Sequence, residues 1–166
     1  MPNSILWKYG TSTTITAAIA SLASDTNLLA GIESSTIDNT TDGFEDIILS
    51  GKVTVGTSPT ASKQIEIWLI PWDSNTWPDC FDGTSSSETI TSSDIKAAIC
   101  KAVAIMPTNN TSDRTYSFTG VSAKQVCGGV LPSKFVLFIV HNTGVALNAT
   151  AGNHEFRYQG VYPQVQ

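Results

Sequence analysis

The sequence predicts an all-β protein: a two-sheet antiparallel sandwich, jelly-roll-like, of about eight strands. Three observations carry this. The run Phe135-Val136-Leu137-Phe138-Ile139-Val140 is unbroken apolar chain of strand length, far short of the ~20 residues of a membrane helix. After the turn signal Asn142-Thr143-Gly144, the residues Phe156, Tyr158 and Tyr162 alternate with Glu155, Arg157 and Gln159 at the period of two of a half-buried strand. Composition agrees: apolar residues make up 41% and charged residues only 14%, below the usual ~25%, with Ser and Thr in their place. A chain rich in Thr, Val and Ile favours pleated sheet, and no alternation of strands with helices suggests a parallel sheet.

Taken in order, residues 1–12 hold Trp7 and Tyr9 in a polar, Gly-punctuated context and read as an N-terminal arm or a short first strand. Residues 13–166 then form a single sandwich domain, of ordinary size for one core. Thr13 to Ala23 reads as a strand, weakened by Ala17, Ala18 and Ala20. Residues 34–43 are a loop dense in side chains that hydrogen-bond their own backbone. Ile47, Leu49, Gly51, Val53 and Val55 share one face of a strand, Thr57 to Thr60 turns, and Ile65, Ile67 and Leu69 share one face of the return, so the pair reads as a hairpin. The other face of the return carries Trp68, Ile70 and Trp72. Residues 73–94 are a long excursion from the sheet. In 95–106, Ile95, Ile99 and Val103 fit a helix capped near Ser93, while Ile99, Lys101, Val103 and Ile105 fit a strand. Arg114 to Gly120 and Val121 to Gly128 supply two more short strands before the C-terminal pair.

The net charge of −5 and a pI near 4.8 leave no basic stripe for phosphates, so neither nucleic acid nor an anionic membrane is an expected partner. No charged start with a following apolar stretch opens the chain at Met1 to Ser4, which reads as synthesis and folding in a cytoplasm. Cys80, Cys100 and Cys127 are an odd set without CxxC spacing, which argues against a disulfide framework or a zinc site.

The nucleophile elbow, the phosphate loop, the dinucleotide fingerprint and the HExxH helix are absent. His141 ends one strand and His154 opens the next, so a hairpin there would bring them together, yet a third metal ligand is missing. Glu45 with Asp46, and Asp79 with Asp82, do not lie on strand patterns that aim both acids into one cleft. No catalytic residue, metal or cofactor is expected.

Trp68, Ile70 and Trp72 admit three readings. They form core beneath a covering loop, or an intersubunit patch, or, through Trp72 and Trp77, a platform for sugar rings. The interface reading also takes in Trp7 and Tyr9.

The run Cys127-Gly128-Gly129-Val130-Leu131-Pro132-Ser133-Lys134-Phe135, then Asn142 to Leu147, Ala149 to His154 and Tyr158 to Tyr162, resembles a family of small tailed-bacteriophage virion proteins. Trp7 to Thr11 and Asp38 to Thr41 resemble the same family, so the likeness spans most of the chain. Phe135 stands where the family has Trp, and residues 73–94 with Cys80 depart from its pattern. The resemblance implies a non-enzymatic structural protein of the virion, assembled in the host cytoplasm. A capsid decoration (cement) protein is the favoured role, with self-association as a trimer and the major capsid protein or another virion protein as partner. The alternative is a tail or fibre module that binds a glycan receptor. The same resemblance favours a strand over 95–106.

Overall fold

The computed structural model describes residues 4–165. The strands are β1 (Ile5–Tyr9), β2 (Thr13–Ile15), β3 (Ala30–Glu33), β4 (Ile37–Asp38), β5 (Asp46–Thr54), β6 (Lys63–Pro71), β7 (Ser87–Thr89), β8 (Lys101–Thr108), β9 (Thr115–Ser122), β10 (Lys134–His141) and β11 (Glu155–Val165). Two short helices, α1 (Ser93–Ile99) and α2 (Ala123–Val126), interrupt them. The first sheet runs β1-β11-β5-β9, with β2 following β1 along β11; the second runs β7-β3-β10-β6-β8, with β4 also on β10. All pairings are antiparallel.

Joining β1 with β2 and β3 with β4, each pair lying along one neighbour, leaves eight principal strands and the edge strand β7. Their order is first-eighth-third-sixth in one sheet and second-seventh-fourth-fifth in the other, which is a jelly roll. Strands β10 and β11 are the hubs: β11 pairs with β1, β2 and β5, and β10 pairs with β3, β4 and β6.

No two strands adjacent in sequence pair with each other among the described residues. The hairpin expected at 47–69 is therefore a crossover. Ile47, Leu49 and Val53 of β5 and Ile65, Ile67 and Leu69 of β6 are all fully buried in one cluster, but they face each other from opposite sheets. An apolar stripe is hidden equally well by a strand beside it or by a sheet ~10 Å across from it, so periodicity alone did not separate the two. For the same reason His141 ends β10 of the second sheet while His154 lies just before β11 of the first. His141 bonds the carbonyl of Leu22 (3.0 Å) and Thr143 Oγ1 (2.9 Å), and burial lowers its pKa. His154 bonds the carbonyl of Asn148 (2.8 Å).

Three more expectations are corrected. The strand at 13–23 stops at Ile15, because the alanines offer little to a pleated face and Ile19 instead plugs the core at 1% exposure. Residues 121–128 complete β9 and then turn into α2, whose cap is Ser122 accepting from Gln125 N. The 95–106 segment is both structures in succession: α1, capped by Ser92 accepting from Ile95 N, and then β8.

The core is double. The larger cluster fills the space between the sheets. A smaller one lies on the outer face of the second sheet, where Val136, Phe138 and Val140 of β10 and Ile70 of β6 are roofed by Phe81, Ile90, Cys100 and α1. Phe81 meets Phe138 edge to face, 5.4 Å between centroids. The excursion at 73–94 is thus a roof, which explains why β10 is apolar on both faces.

Candidate functional site

Beneath that roof lies a buried ion pair. Lys96 of α1 reaches Glu66 of β6 at 2.6 Å, with side chains 11% and 6% exposed, and also donates to the carbonyl of Leu28. Trp68 Nε1 donates to the same carboxylate at 2.8 Å, and Gln64 donates to its other oxygen. Lys96 Nζ lies 5.0 Å from the Trp68 ring centroid. Every donor here is satisfied within the chain, and the arrangement pins α1 onto the sheet.

Trp68 and Ile70 therefore belong to the chain's own packing. Ile70 is 0% exposed and Trp68 is partly buried against the second cluster. Trp72 is partly buried with Lys134 Nζ 5.3 Å from its ring centroid, and Trp77 packs onto the second cluster. The interface patch read at Trp68, Ile70 and Trp72 is corrected at Trp68 and Ile70, which the roof covers as part of the second cluster, while Trp72 lies beyond that cluster beside Lys134.

The acidic residues of the roof build turns. Asp79 accepts from Thr91 N and Oγ1, Asp82 from Thr84 N and Oγ1, and Asp73 from Asn75 N and Thr76 N. Glu33, Asp82 and Glu88 bring oxygens within 4.8 Å of one another, as a cation would require. Those oxygens are engaged, however: Glu33 accepts from Gly83 N (2.7 Å) and Asp82 N (3.1 Å), and Glu88 from Ser86 Oγ (2.8 Å). Burial pushes the Glu33 carboxyl up to about 7 against the pull of those two backbone donors. Asp46 accepts from Ser122 Oγ and Lys124 N, and Glu45 pairs with Lys124, so this carboxylate pair is structural too. Burial raises the thiols of Cys80, Cys100 and Cys127 to about 11, 12 and 11, far from nucleophilic thiolates.

The exposed chemistry is at the chain's two ends. Strand β5 pairs with β11 only as far as Asp46 opposite Val161, while β1 follows β11 from Tyr9 opposite Val161 to Ile5 opposite Val165. The 5–8 and 162–165 segments consequently overhang the sandwich as a two-stranded ribbon. Phe156 and Gly160 are buried, which puts the odd-numbered positions of β11 on the outer face. Directly opposite residues share a face, so Ile5, Trp7 and Tyr9 lie outward with Val165, Pro163 and Val161. Ile5 is 65% exposed, Trp7 59%, Tyr9 64% and Val165 61%. Leu6 is exposed on the reverse face. Five of the seven exposed large apolar side chains among the described residues are on this ribbon and at its base, where Tyr9 lies.

Of the residues read as interface, Trp7 and Tyr9 are brought together here, and within the segment read as an arm or short strand Ile5–Tyr9 is an edge strand, while residues 1–3 of it lie outside the described residues. Ile5, Leu6, Pro163 and Val165 were passed over, although Val161, Pro163 and Val165 carry a visible alternation. Phe44 anchors the base: its ring covers Gly160, where a Cβ would sit 2.4 Å from ring atoms, and lies 6.1 Å from the Tyr162 ring. No helix among the described residues is long and apolar enough to cross a membrane. Comparison with protein families, curated proteins and solved structures gives no match.

Proposed function

We propose that this chain is a non-enzymatic structural protein of a bacteriophage virion, a decoration protein that packs with its neighbours on the outer surface of the head. The observation that carries the reading is the ribbon of β1 and β11, where most of the exposed large apolar side chains among the described residues gather. Soluble monomers seldom present contiguous apolar patches beyond a few hundred Å2, and those that do use them for contact. Covering such a patch contributes about 25 cal/mol per Å2 before the costs of association are subtracted. The resemblance of residues 127–162 to small virion proteins supplies the setting, and a jelly roll with its catalytically capable side chains tied into turns and ion pairs suits a mechanical role.

The test is co-sedimentation of purified protein with phage heads stripped of their decoration, run beside a glycan array. Head binding that is lost in Trp7→Lys supports the reading. Binding to a sugar, with heads ignored, replaces it with a receptor-binding module of the tail.

A further inference from the structure

We infer that β1 is a docking edge for β1 of a second copy, so that the two first sheets join across a two-fold axis into one continuous sheet. This rests on the reading of the terminal ribbon as an interface, names its occupant, and sets a two-fold pair in place of the trimer that the resemblance implies. The backbone decides which groups are free. Gly10 N donates to the carbonyl of Gly160 at 2.8 Å, and the β1–β11 register sets these two residues opposite each other, so they mark the hydrogen-bonding phase of the ladder. In an antiparallel ladder bonded pairs alternate with non-bonded ones. Lys8 and Leu6 therefore bond toward β11, while the N–H and C=O groups of Ile5, Trp7 and Tyr9 point to the open edge.

The other edges are blunted. Strand β7 has 3 residues. Strand β8 contains Pro107 and a register shift against β6 between Ile67 and Trp68. Strand β9 has a register shift at Leu49/Gly51 of its partner and Gly120 at φ 71°. Even the far side of the ribbon is closed to further pairing: Val161 gives its carbonyl to Glu45 N, and Pro163, next in that phase, has no N–H to offer. Against β11 alone, β1 keeps a regular five-residue register with no bulge or proline of its own. An unprotected apolar edge of this kind is a template for another strand.

Area and charge favour a second copy as that strand. Trp7 and Tyr9 each leave on the order of 100–150 Å2 uncovered, and with Ile5, Leu6 and Val165 the ribbon presents on the order of 500 Å2. Two copies together then bury at most about 1,000 Å2, the lower bound for a specific interface. Although the chain carries a net charge of −5, the only charged side chain in residues 4–12 and 161–165 is Lys8, so the ribbons meet without acidic repulsion. A two-fold axis at Trp7 sets Ile5 of each copy opposite Tyr9 of the other and makes the interface isologous.

Sedimentation equilibrium from about 1 to about 200 μM tests this, since dimers of this interface size span micromolar affinities. The expected species has twice the 17.6 kDa monomer mass. Trp7→Lys is expected to weaken association by at least ~30-fold, as for a central aromatic anchor. Trp7→Pro removes an open-edge N–H without taking a bond from β11 and is expected to do the same, whereas Ile105→Lys, on β8, leaves the dimer intact. Amide exchange of Ile5, Trp7 and Tyr9 should slow with protein concentration in the parent and not in Trp7→Lys. A parent that is monomeric throughout, a trimer, or a dimer indifferent to Trp7→Pro overturns the inference. The head-binding assay is separate: a monomer that still binds heads sinks the paired edge and keeps the virion reading, and a dimer that ignores heads does the reverse.

Discussion

At the scale of the residue, Lys96 decides how the roof is held. Its ammonium is matched by Glu66, which also serves Trp68 and Gln64, so removing it leaves a buried carboxylate without its cation. Lys96→Met should therefore lose about 3–5 kcal/mol of unfolding free energy in a urea titration, with retention of the dimer. None of this could be read from the sequence. Lys96 sits among Ile95, Ala97 and Ala98 with nothing to mark it as buried, and its partner is 30 positions away on a strand whose outer face looked like an interface. Trp68 and Ile70 were singled out correctly as apolar on a second face. What the residues did not encode was the cover, because a loop of Asp, Ser, Thr and Gly looks the same lying over a sheet or standing in water.

Among elements, the ribbon and the roof contrast. The apolar alternation of β5, β6 and β11 was legible, because a strand facing a core must repeat every second residue, and so was the unbroken apolar run of β10. Their partners were not, because two stripes facing one interior satisfy the same pattern side by side or across the sandwich. The helix α1 was half legible: Ile95 and Ile99 lie one turn apart and both pack on the second cluster, but the following β8 blurred the period. Strand β1 contributes little to the body's core, as its side chains are mostly outside it. Deleting residues 1–10 should lower stability by no more than about 2 kcal/mol while abolishing both self-association and attachment to heads. A melting curve beside the sedimentation and head-binding assays checks this.

For the whole molecule, acidity sets two opposing slopes. Glu33 has a folded pKa raised from 4.5 to about 7, so the native state binds its proton more readily than the unfolded chain does. Its penalty is absent below 4.5, grows as pH rises, and is complete above about 7, at roughly 3 kcal/mol. His141 acts the other way: with its pKa lowered by burial, stability is lost as pH falls through 6.5. Asp38, held down to about 2 by the Thr40 hydroxyl and amide and by Lys134, joins that loss only in stronger acid. In urea titrations from pH 8 to 4.5, Glu33→Gln should lack the gain that the parent shows from Glu33, leaving the His141 decline exposed. The jelly roll itself was the most legible feature at this scale, since eight polar-punctuated apolar segments with low charge have few other ways to close.

That closure has a consequence for synthesis. The bridging strand of each sheet, β10 or β11, leaves the ribosome after every strand it pairs with, and each is the sole bridge between its sheet's early strands and the rest. A nascent chain halted before Lys134 holds β5 with β9 and β6 with β8, yet nothing to which β1, β2 or β4 can add. Folding of the sheets must wait for β10 and β11 and then draw together strands far apart in sequence, a slow step in which the apolar side chains of β1 stand bare until their late partner arrives.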